Sequence, residues 1–142
     1  MTVLSKLLLG SLHVKSYDWA AGPPVAANDH PLTRLATVVL DADLSAPCDA
    51  LVLYPDSGGN MHRFAAATPC AVVDVLGPPY SKDRDCTYYQ ELPLSHHDPD
   101  ETGDVHVKDE QQKKNRLGWL KEMEKPMDLE MYEVPYRGPP IL

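Results

Sequence analysis

Residues 54–89 read YPDSGGNMHRFAAATPCAVVDVLGPPYSKDRDCTYY, and the fold turns on how this stretch is read. Gly58 and Gly59 can take positive φ, so the chain can reverse tightly before Asn60. From Met61 the residues alternate: if Met61 and Arg63 point one way, His62 and Phe64 point the other. A histidine beside a phenylalanine on an inward strand face is a buried imidazole that needs a partner. A backbone carbonyl would satisfy it, and so would a metal ion.

Spacing around this histidine favours the metal. Pro55, Gly59 and His62 stand as P-x3-G-x2-H, close to the second metal motif of the cupins, where the glycine makes the hairpin turn and the histidine projects into the barrel. The segment TPCAVVDVLGPPYS at 68–81, followed by CTYY at 86–89, is far more specific. It resembles the plant cysteine oxidases and, more distantly, the 2-aminoethanethiol dioxygenases, iron-dependent thiol dioxygenases built on a cupin barrel. MTVLSKLLLGSLHVKSYDW at the start and MYEVPYRGPPIL at the end look like the same family, so the resemblance runs through most of the chain.

The resemblance implies an all-β fold, a cupin-like double-stranded β-helix barrel of the jelly-roll type. It also implies Fe(2+) as cofactor, O2 as co-substrate and a protein or peptide with an N-terminal Cys as partner. The product would be cysteine sulfinic acid, in an oxygen-sensing role that works through targeted protein degradation. His62 would be a metal ligand. Counting back from Gly10 places the glutamate position of the first cupin motif at Val3, so its H-x-H pair would lie before Met1. Two of the three expected His ligands are therefore absent from this chain, and the barrel is expected to be incomplete at its N-terminus, with an unpaired strand edge near residues 2–9. A truncated, inactive cupin fragment or a peptide-binding module is the alternative.

Bulk properties agree with the family and set bounds of their own. A chain of 142 residues suggests one domain, 1–142, with a real core. A net charge of −8 argues against nucleic acid, because phosphate binding needs a basic face. No run of about 18 apolar residues is present, so no membrane-spanning helix is expected. Three cysteines at irregular spacing suit a reducing compartment, cytoplasm or nucleus, better than a disulfide framework. A monomer is expected. Fourteen prolines, mostly between apolar runs, favour strands and corners over long helices.

Along the chain, residues 2–9 and 12–19 read as a hairpin or two successive strands broken by Gly10-Ser11. His13 stands among polar positions and reads as a rim residue. Residues 20–32 read as a loop, with His30 a loop histidine. Strands follow at 35–40 and 50–54. Residues 70–76 form an apolar run with one acid, Asp74, which either anchors the following turn or faces a wet cavity. The resemblance places Asp74 in the active site and gives Tyr80, at the proline corner, a substrate-facing hydroxyl. Cys86 and Tyr88 share a face of a strand at 86–92, and the 2-aminoethanethiol dioxygenases can join such a pair in a thioether. Residues 95–112 read as an acidic flexible loop. Residues 113–124 carry Leu117, Leu120 and Met123 or Glu124 at helical spacing and predict one short helix. Residues 127–134 return to strand.

Overall fold

The computed structural model describes residues 1–20, 26–27, 30–92, 117–135 and 137–139. Nine strands appear in these residues, and no helix. They are β1 (Thr2–Leu9), β2 (Ser11–Trp19), β3 (Ala26–Ala27), β4 (His30–Ser45), β5 (Leu51–Leu53), β6 (Met61–Ala66), β7 (Ala71–Gly77), β8 (Tyr88–Leu92) and β9 (Leu117–Met123). Every pairing among them is antiparallel.

Gly10 decides how the first two strands are used. Its φ of 79° lies in the left-handed region, and a Cβ there would lie 2.9 Å from the Cys70 Cα. Only glycine turns so tightly against that backbone. The chain therefore leaves one sheet and enters another, so 2–9 and 12–19 are two successive strands and not a hairpin. The first sheet has the order β5-β1-β7; the second runs β6-β2-β4-β9-β8, with β3 added to β4.

The long β4 is the spine of the second sheet. Its C-terminal half pairs with β2, its N-terminal half with β9. Ser16 opposes Leu40 and Tyr17 opposes Val38, so Val39 is an extra residue that bends the sheet. Leu7, Leu12 and Val14 are buried between the sheets, with Leu40, Leu44, Leu51, Phe64 and Val72 packed around them. Each fully buried apolar side chain of this size contributes about 1.5–3 kcal/mol. A second cluster gathers Tyr17, Ala36 and Leu120 with Trp19, Val38, Met61 and Tyr89.

Four expectations are corrected. The helix expected over 113–124 is replaced by β9 from Leu117 onward, with 113–116 outside the described residues. Pairing to β4 on one side and β8 on the other, together with burial of Trp119 and Leu120 on opposite faces, overrides a spacing that suited a helix. The edge expected near residues 2–9 is closed only in part: β7 runs along one side of β1, while β5 pairs with Val3, Leu4 and Ser5 alone on the other. Residues 127–134 form no strand and leave Met127, Met131, Tyr132 and Val134 exposed. The segment read as a loop over 20–32 contains β3 and the start of β4 at His30. The acidic loop at 95–112 lies outside the described residues.

Candidate functional site

The turn before β6 sets the geometry. Gly58 and Gly59 have φ of 111° and 79°. The Asp18 carboxylate, near the end of β2, accepts a 2.8 Å hydrogen bond from each of their amides, one per oxygen. The Asn60 side-chain amide donates to the Met1 carbonyl at 2.8 Å and the Leu53 carbonyl at 3.1 Å, which ties the turn to the first sheet.

His62 follows on β6, with its ring 4.9 Å from that of Phe64. Its Nδ1 lies 2.8 Å from the Asn60 carbonyl oxygen. A carbonyl only accepts, so Nδ1 is the donor and Nε2 keeps a lone pair. His62 opposes Ser16 on β2, whose hydroxyl is buried and has no hydrogen-bond partner. Asp74 opposes the buried Ser5, which puts it on the inward face of the first sheet. The two candidates thus occupy facing sheets and not neighbouring strands.

A cavity of about 990 Å³ brings four of the five sequence candidates together. His62, Tyr80, Cys86 and Tyr88 line it, with Arg63, Arg84, Asp85 and Glu91 among the charged residues of its wall. Asp74 is not in the lining. It lies at the exposed edge strand, close enough for its charge to act on the Tyr80 phenol. Burial pushes that phenol above its ordinary value, and the Cys86 sulfur, Tyr88 and Asp74 add to the effect. Tyr88 is raised likewise, by desolvation first and then by Cys86. The Cys86 sulfur thus bears on both phenols, and all three cysteines are free. A second void, about 10 Å³ between Leu7, Leu12, Phe64 and Val72, holds at most one water.

A polar chain that sequence reasoning missed leads away from the cavity wall at Glu91. Lys15 donates to Glu91 at 2.8 Å and lies 3.7 Å from Asp41. Asp41 and Asp43 take the two ring nitrogens of His13 at 2.8 and 2.7 Å. Burial would raise the Glu91 carboxyl, but hydrogen bonds from Lys15 and Tyr17 outweigh it and hold Glu91 below its ordinary value. Tyr17 is pushed far up by burial and by the Glu91 carboxylate. Gly118 lies beneath this meeting point; a Cβ there would sit 3.4 Å from Glu91 Oε1 and 3.7 Å from the Tyr17 ring. These groups come from β2, β4 and β8, and no local motif announces their encounter.

An antiparallel all-β fold with this cavity accords with the family that the sequence resembles. The chain belongs to the PCO_ADO family, whose model matches residues 1–141. It is 51% identical to plant cysteine oxidase 2 of Arabidopsis thaliana, across 99% of this chain and 49% of that protein. Identity to plant cysteine oxidase 1 of the same plant is 46%, across 99% and 47%. A probable 2-aminoethanethiol dioxygenase of Dictyostelium discoideum is 33% identical over 63% of this chain and 41% of its own length. The chain thus spans about half the length of the plant relatives it matches.

Family members typically use iron. His62 suits it as one ligand, since its lone pair sits on a neutral ring nitrogen whose partner is fixed by a carbonyl. Among the described residues, no group of three His, Cys, Asp or Glu side chains is gathered that could hold a metal ion. These residues alone do not fit an iron centre, and no step is routed through one.

Proposed function

We propose that the chain forms a single cupin-like domain, the barrel of an iron-dependent thiol dioxygenase that oxidises the N-terminal cysteine of proteins to cysteine sulfinic acid. The gathering of His62, Tyr80, Cys86 and Tyr88 around one cavity, in a chain of this family, carries the reading. In the reaction both oxygen atoms of O2 end on sulfur, which is oxidised as O2 is reduced. Iron, if held by His62 together with ligands from outside the described residues, would supply the redox chemistry that joins O2 to a thiolate.

The residues of this chain do the rest. His62 offers Nε2 as a ligand. The Tyr80 phenol, raised by its surroundings, stays protonated at neutral pH and presents a hydrogen-bond donor to the cavity. The Asp74 carboxylate, outside the cavity lining but near enough for its charge to act on Tyr80, is the counter-charge for the ammonium of a Cys-initiated peptide, which would otherwise be desolvated alone. Oxygen sensing through degradation of the oxidised protein, in cytoplasm and nucleus, is the role that suits this chemistry.

The test compares the chain with one carrying a His-x-His-Pro segment ahead of Met1. After anaerobic loading with Fe(II), the extended chain is expected to hold about one iron, and His62→Ala to remove it. A Cys-initiated peptide should then gain two oxygen atoms by mass. Asp74→Asn should keep the iron and lose most of that gain. An iron-loaded extended chain that leaves the peptide unchanged would sink the proposal. The missing three-ligand group among the described residues favours a second reading, a barrel that binds such peptides without oxidising them. Peptide binding to the unextended chain with no mass gain would support it.

A further inference from the structure

A neutral imidazole has one proton and two nitrogens, and in water neither tautomer is fixed. In His62 the Asn60 carbonyl settles the choice, because it accepts from Nδ1 at 2.8 Å. That carbonyl belongs to a turn with two glycines at positive φ, the residues that lose most backbone freedom when ordered. Left to itself such a turn would sample many positions for the carbonyl.

Asp18 removes that freedom. Its two carboxylate oxygens each take one amide, Gly58 N and Gly59 N, at 2.8 Å. A charged acceptor makes such bonds stronger than neutral ones. The Asn60 side chain adds the opposite anchor on the Met1 and Leu53 carbonyls. The Asn60 backbone carbonyl is therefore held from both sides while it accepts from His62.

We infer that Asp18 is a positioning residue for His62: by clamping the Gly58-Gly59 amides it aims the Asn60 carbonyl at Nδ1 and so reserves the Nε2 lone pair for a ligand in the cavity. Asp18 is not itself a lining residue of the cavity, and its carboxylate bonds go to the Gly58 and Gly59 amides. Its bearing on oxidation rests on the function proposed above, but its bearing on the tautomer does not. The two can fail separately.

The experiment reads the tautomer of the full chain directly, from the side-chain 15N signals of His62 under conditions where the ring is neutral. The parent should show a protonated Nδ1 and an unprotonated Nε2. Asp18→Asn offers one acceptor oxygen where two are needed, and should raise the Nε2-protonated population several-fold. Asp43→Asn makes the same charge change on β4, against His13, and should leave the His62 signals in place. A folded Asp18→Asn chain with the parental His62 signals would overturn the inference, as would an equal change in Asp43→Asn. Should Asp18→Asn fail to fold, hydrogen exchange in the parent decides: Gly58 and Gly59 amides should exchange as slowly as those of β6, and fast exchange at both would overturn it.

Discussion

Replacing Gly59 by alanine should cost more than any other single methyl group in the turn before β6. The added Cβ would overlap Ser16 Oγ and lie 2.7 Å from Ser16 Cβ, with the Val39 Cβ at 3.4 Å. Rotating the Ser16 hydroxyl relieves only part of this, since its Cβ is fixed in a central strand. The φ of 79° adds the left-handed penalty of an L-residue, about 1–2 kcal/mol. Overpacking against a strand adds about 1–3 kcal/mol. The sum, roughly 2–5 kcal/mol, is a large share of a total stability that is ordinarily about 5–15 kcal/mol. Equilibrium urea unfolding should show it as a lower midpoint at unchanged slope. The steric part is separable. In Gly59→Ala/Ser16→Gly both clashing atoms are gone, so a double-mutant cycle should return a coupling of about 1–3 kcal/mol while the backbone penalty persists. A Gly59→Ala midpoint equal to the parent's, or a coupling near zero, would refute the reasoning.

Two further predictions concern pH. His13 is raised by its bond to Asp43, against a smaller opposing effect of desolvation and with added help from Asp41. Its contribution is therefore full below the ordinary histidine value of about 6.5 and lost as pH rises through the higher folded value. Urea midpoints of the parent and His13→Gln should differ most below about pH 6.5 and converge as pH rises through the higher folded value; a difference that grows with pH would exclude the arrangement. Glu91 has the opposite sign: held below its ordinary value, it stabilises above about pH 4.3 and stops doing so as pH falls through the folded value. Glu91→Gln should cost less than about 1 kcal/mol at neutral pH, since the group is partly solvated, and nothing in strong acid; an equal cost at both would mean that charge is not the cause.

The strands that could be read from sequence are those whose ends are marked and whose burial is one-sided. β1 and β2 carry the Gly10 break, and β7 stands between Pro69 and Pro78. β9 could not be read, because Gly118, Trp119 and Leu120 are buried consecutively and leave no two-residue period. The same holds at the site. His62 was visible because its turn chemistry is local, and Tyr80, Cys86 and Tyr88 because they stand in one motif. Asp18 was not, since its partners lie 40 and 41 residues away and nothing beside Tyr17 and Trp19 marks it as a clamp. The place of Asp74 was not legible: it pairs with Ser5 on the opposite sheet, and it is exposed and outside the cavity lining.

The position of β1 bears on how the chain is made. Thr2 pairs with Gly77 and Val3 with Leu53, so β1 meets neither of its partners until the middle of the chain has emerged. At an ordinary synthesis rate of about 5–20 residues per second, Leu4, Leu7, Leu8 and Leu9 stay unpaired for several seconds. Such long-range closure is slow in any case. Nascent-chain quality control thus meets a run of unshielded leucines before the partners of β1 in the first sheet exist. Polar replacement of Leu8 or Leu9, both exposed even in the finished fold, would interrupt that apolar run at little cost to the native state.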